Sequence, residues 1–117
     1  MKTLGVMHML FVQDMDRAIG FYEKAFGFKL NSKSAFWSNL DSGHGRLGLT
    51  SYGNKAERKE ALLIIEVDDH LQAVDMITQN GGQVLNIAKP YEGAPVYNVI
   101  AIDTENNQFT VSEMVKM

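Results

Sequence analysis

Large apolar residues fill positions 4 to 12, "LGVMHMLFV", a run that predicts a buried strand. Asp14 then stands where a helix N-cap belongs, and Met15, Ile19, Tyr22 and Phe26 recur at helical spacing up to Gly27, a predicted C-cap. Three strand-like pieces follow, "FKLNS" (28–32), "AFWSNLD" (35–41) and "RLGLTSY" (46–52). The "SGHG" between the last two is a hairpin signal. Residues 54 to 60 of "GNKAERKE" are polar and charged, and read as an exposed linker.

Beyond the linker the same order starts again. "ALLIIEVDD" (61–69) predicts a strand, Asp69 a second N-cap, and Leu71, Val74 and Ile77 the buried stripe of a helix that stops at "NGG". "QVLNI", "VYNVIAID" and "QFTVSEM" complete the half as three strands. An offset of 55 residues lays Asp14 on Asp69, Met7 on Leu62, Val12 on Val67, Ala18 on Ala73 and Gly27 on Gly82. A shared element order with matching caps predicts a duplicated β-α-β-β-β module, about 1–53 and about 61–117, within a single domain. Neither half can bury its own sheet face, so the halves must pair, within one chain or between two.

Composition narrows the chemistry. Hydrophobic content of 45% in 117 residues is that of an ordinary globular domain. A net charge of −3 argues against nucleic acid or an anionic membrane as partner. With no cysteine, disulfides, thiolate metal sites and thiol nucleophiles are excluded. No apolar run suits a signal peptide or a membrane span, so the expectation is a soluble cytoplasmic protein. Ser, His and Asp fall into no nucleophile–base spacing, and no glycine-rich loop has phosphate-binding spacing.

The strand-to-helix entry formed by Val12, Asp14, Met15, Arg17, Ala18, Ile19, Phe21, Tyr22 and Gly27, within the paired modules, resembles the vicinal oxygen chelate superfamily. That superfamily contains glyoxalases, extradiol dioxygenases, fosfomycin-resistance enzymes and bleomycin-resistance binding proteins. The family's "D-P-x-G-N" turn is present only as "DTENN", with Thr104 at the proline position and Asn106 at the glycine position, where a left-handed conformation is tolerated. The resemblance implies an α+β fold in which two β-α-β-β-β modules curl into a cup-shaped, partly open mixed β-barrel with helices outside. It also implies a homodimer.

In metal-using members four strands each bring one His, Glu or Gln to the cup floor. Carried onto this chain, those positions are Met7, Gly48, Leu62 and Thr110. A thioether, a hydrogen, an isobutyl group and one hydroxyl make no hard-metal site. His8 is one residue out of register and should point to the opposite face, so it is not read as a ligand.

The same alternation aims other side chains into the cup: Met9 and Phe11 beside Met7, Arg46, Thr50 and Tyr52 beside Gly48, Ile64 and Glu66 beyond Leu62, and Trp37 and Asn39 on the middle strand. Leu40, Leu47 and Leu49 should face the helices. Met9, Phe11, Trp37, Asn39, Arg46, Thr50, Tyr52 and Glu66 are therefore the expected ligand-binding residues, and Met7, Leu62 and Ile64 read equally well as core. The expected function is metal-free, cofactor-free binding of a small, partly aromatic organic molecule. A metal-dependent lyase, isomerase or dioxygenase with ligands in another register, and a protein-interaction module with a filled cup, are the alternatives.

Overall fold

The computed structural model describes residues 1–52 and 59–115. In chain order the elements are β1 (Met7–Phe11), α1 (Met15–Phe26), β2 (Lys29–Lys33), β3 (Trp37–Asp41), β4 (Arg46–Thr50), β5 (Lys59–Glu66), α2 (His70–Gln79), β6 (Gln83–Ala88), β7 (Val96–Ile102) and β8 (Asn107–Met114). They form two four-stranded sheets, ordered β1-β4-β3-β2 and β5-β8-β7-β6, each with the first strand parallel to its neighbour and the other pairs antiparallel. This is the predicted α+β pair of β-α-β-β-β modules, without a closed barrel. No helix among the described residues is long and apolar enough to cross a membrane. Most of the predicted linker, residues 54–58, lies outside the described residues, and its last two positions already belong to β5.

The helices begin where their caps predict. Asp14 and Asp69 are extended, and each side chain accepts from the backbone N–H three residues on, at Arg17 and Gln72 (3.0 Å each). Gly27 closes α1 with φ 71, the left-handed state that glycine enters without steric cost. The second helix departs from the offset. Asn80 caps it, Gly81 takes the left-handed turn (φ 92), and Gly82 is glycine because a Cβ there would lie 2.8 Å from Ile77 Cγ2 and 2.9 Å from the Phe21 ring. Gly27 needs only its positive φ, since nothing lies within 4 Å of a Cβ added there. β1 is shorter than its apolar run because its one hydrogen-bonded neighbour, β4, starts at Arg46, the partner of Met7. Residues 4 to 6 are left exposed.

One hydrophobic core joins the modules. Leu10, Leu40, Leu47 and Leu49 of the first sheet turn toward α1 and are buried, as the alternation predicts, while Met9 and Trp37 point the other way. Phe109 of β8 crosses into the first module's territory, its ring centroid 6.1 Å from Phe21, 6.3 Å from Tyr22 and 5.9 Å from Phe26. The β7–β8 turn just before it docks on the N-terminus of α1. Glu105 accepts from the N–H groups of Gln13 (2.8 Å) and Asp14 (2.7 Å) and from the Arg17 guanidinium (2.7 Å). Asp103 accepts from the Tyr22 hydroxyl (2.6 Å), and the Asn107 amide donates to the Phe11 carbonyl (2.8 Å). Asn106 stands at φ 66, the left-handed state the sequence allows for it.

Candidate functional site

The outer face of the first sheet carries a set of side chains that no helix covers. Trp37 sits opposite Thr50 on β4, and its ring leans diagonally over Gly48. A Cβ added at Gly48 would lie 2.3 Å from Trp37 Cη2 and 2.9 Å from Met7 Sδ, so glycine is what lets the indole lie on the sheet. The ring remains 37% exposed. At the same end of β4, Tyr52 stacks on Phe36 with centroids 5.2 Å apart and planes 18° apart, and both rings are largely exposed. Met9 and partly buried Phe11 of β1 lie on this face, and Thr50 is buried between its strand partners Phe11 and Trp37. Asn39 donates to Ser32 Oγ at 2.9 Å.

The eight expected binding residues are thus not one cluster. Met9, Phe11, Trp37, Asn39, Thr50 and Tyr52 share the outer face of the first sheet. Arg46 is at the far end of β4, four residues or about 13 Å along the strand from Thr50. It lines, with Glu66, a separate cleft at the seam between the modules. Phe36 joins the aromatic group against expectation: a strand over 35–41 would turn it to the face opposite Trp37, but β3 begins only at Trp37.

The four metal-ligand positions pair off by sheet. Met7 and Gly48 are adjacent, and the space a side chain at 48 would need is taken by the indole. Leu62 sits in a register shift of β5, with φ 53 and its side chain 85% exposed. Thr110 pairs with Ile64 and Ile100. The donor chemistry and the covered glycine do not fit a hard divalent metal. Among the described residues no three His, Asp or Glu side chains gather in a metal-binding group.

His8 and His70 are structural in their contacts. His8 is half-buried at the sheet edge, and its Nε2 donates to the Ala61 carbonyl of β5 at 2.5 Å, tying the two edge strands together. His70 enters α2 with its ring 4.2 Å from that of Tyr97, stacked at 10°. Its N–H and Nδ1 both meet Glu113 Oε1, at 2.7 and 2.8 Å. This pairing was illegible in the sequence, because 43 residues separate its ends.

Gly48→Ala is expected to displace the indole, shift the Trp37 emission and lower stability by about 1–3 kcal/mol. The double variant with Trp37→Ala should recover most of that loss, since the second obstacle is a flexible thioether. Fluorescence and urea melts of the three variants measure both effects.

The fold has counterparts among known proteins. The model of the Glyoxalase/Bleomycin resistance protein/Dioxygenase superfamily matches residues 5–111, and the chain belongs to that superfamily. Among solved structures it is similar to the fosfomycin resistance protein FosX from Mesorhizobium loti (17% identity, 97% of this chain and 92% of that one, TM-score 0.75). It is also similar to lactoylglutathione lyase from Agrobacterium tumefaciens (19%, 96% and 94%, TM-score 0.71) and to TioX from Micromonospora sp. ML1 (17%, 97% and 100%, TM-score 0.72). At these identities the likeness is one of fold. A search of curated proteins returns no match.

Proposed function

We propose that this protein binds a small, partly aromatic organic molecule without metal or cofactor, on the outer face of the first sheet. The observation that carries the reading is the Trp37 indole lying over Gly48 against Met7, in the space where a second metal ligand would need its side chain. A partly exposed aromatic side chain takes the place of a donor. Trp37 stacks on the ligand, Met9 and Phe11 adapt to its outline, Asn39 supplies a polar contact, and Tyr52 with Phe36 forms a rim. In this reading Arg46 and Glu66, which line the separate cleft, are not part of that face, and the protein works in the cytoplasm.

The test has two arms. Elemental analysis of the purified protein is expected to find no stoichiometric divalent metal, and close to one zinc, iron, nickel or manganese per chain would end the proposal. A thermal-shift screen of planar aromatic compounds, followed by titration on Trp37 fluorescence, is expected to return ligands whose affinity falls in Trp37→Ala. A screen in which every hit binds that variant equally well would refute the assigned face.

A homodimer is part of the same reading. The sheets end in edge strands β1 and β2, and β5 and β6; β1 meets β5 through the His8–Ala61 bond, and β5 and the chain leading into β1 expose Leu4, Val6, Leu62 and Ile64. Unpaired edges with apolar side chains favour association with a second copy. Light scattering is expected to give about twice the 13.1 kDa chain mass at micromolar concentration, and a value near one chain mass would refute it.

A further inference from the structure

The two modules fail to match at one corner. On β4 and β8 an offset of 62 residues carries Gly48 to Thr110, Leu47 to Phe109 and Gly45 to Asn107. The strand pairing agrees: Met9 pairs with Gly48 just as Ile64, 55 residues on, pairs with Thr110. In one half the corner below the helix is closed. Phe109 packs its ring on the α1 aromatics, and the turn Asp103–Asn107 places a carboxylate and a carboxamide behind it.

In the other half every one of those groups is cut back. Leu47 replaces the phenylalanine and Gly45 the asparagine. The β3–β4 turn is one residue shorter, running 42–45 between the Asp41–Arg46 pair, where 103–107 runs between Ile102 and Gln108. A cleft of about 560 Å³ stands at this corner, between the end of α1, the start of β4 and the second half of β5. That volume is within the range of small-molecule sites, about 300–1,000 Å³.

We propose that this corner is a second binding site, for a small aromatic carboxylate, separate from the Trp37 face. Its wall is apolar, made by Phe26, Phe28, Leu63 and Ile65, all partly buried against the core. Its mouth carries His44 and Arg46. Among the described residues the Arg46 guanidinium makes no ion pair, and it rests beside Gly5, whose added Cβ would lie 2.9 Å from Nη2. A guanidinium at the edge of an apolar cleft selects a planar carboxylate through paired hydrogen bonds. Glu66, also at the lining, disfavours a dianion and leaves one negative charge as the fit.

The experiment is a titration of the full chain with 1-naphthoate, followed by ¹H–¹⁵N NMR, with neutral 1-naphthalenemethanol as the second probe. Saturable shifts are expected at Gly43, Gly45 and the amides of residues 63–67, with the Trp37 indole N–H unmoved. The alcohol should bind about tenfold more weakly, and Arg46→Gln, a change at an exposed side chain, should remove that preference. If the corner amides stay still at millimolar naphthoate, the site is overturned. Shifts confined to Trp37, Tyr52 and Met9 would also overturn it, while supporting the binding face proposed above. Equal affinity for acid and alcohol, or no effect of Arg46→Gln, overturns the carboxylate class.

Discussion

Glu105→Gln is expected to cost about 2–4 kcal/mol of folding stability, the range for breaking a buried, hydrogen-bonded charge. The Glu105 side chain is buried and its two oxygens are fully used, accepting from Gln13 N–H, Asp14 N–H, Arg17 and the Thr104 hydroxyl. Glutamine would turn an NH₂ group toward one of those donors and leave it without an acceptor. Arg17 is about half exposed, so its ion pair alone is a minor part of the loss, and the two backbone N–H groups at the entry to α1 are the major part.

The effect should depend on pH with a definite sign. Burial pushes the Glu105 carboxyl up, but Arg17, the Asp14 N–H and the remaining donors outweigh it and hold the group below the usual carboxylate range. A group depressed in the folded state stabilises above its unfolded value, about 4.3, and loses that contribution as pH falls through its folded value. The gap between the wild type and Glu105→Gln should therefore be full at pH 7 and shrink on acidification. Asp103 runs the other way. Burial raises it despite the bonds from Tyr22, Asn107 and Glu105, so its ionised form weighs against folding, and its contribution falls as pH rises above about 3.9. Urea melts from pH 3 to 7 on the wild type, Glu105→Gln and Asp103→Asn separate the two limbs. A gap that widens toward low pH would refute this account of Glu105.

The second large effect contrasts two faces of one sheet. Leu47→Ala is expected to cost about 2–5 kcal/mol, because Leu47 is 3% exposed on the helix side and its removal leaves a cavity. Trp37→Ala removes a larger side chain, yet Trp37 is 37% exposed on the face no helix covers, so its loss should cost less than that of Leu47. Ligand affinity should respond in the reverse order. Denaturant melts of both variants decide it: a more severe loss in Trp37→Ala would make the indole core and remove it from the binding face.

Local and periodic features were legible in the chain. Asp14, Asp69 and Gly27 mark helix ends through capping interactions that reach only three or four residues, and all three stand where they were expected. Strand alternation sorted Leu10, Leu40, Leu47 and Leu49 from Met9 and Trp37, since a period of two is a property of the extended backbone itself. The duplicated order was visible because each module repeats the same short-range signals. The exact end of the second helix was not, as the offset could not tell Gly81, which needs a positive φ, from Gly82, which needs empty space.

What the tertiary structure alone decided is how distant groups meet. Nothing local says that Glu105 will cap a helix 88 residues earlier, or that Phe109 will complete the other module's core. The same holds for Trp37, whose face followed from alternation but whose lean across to Gly48 depends on which strands became neighbours. Arg46 and Trp37 share a predicted face, yet the strand's length separates them and the module seam gives Arg46 different neighbours. Periodicity determines which side of a sheet a residue occupies. Its neighbours there are set by strand pairing, turn length and the packing of one module on the other, and those are long-range.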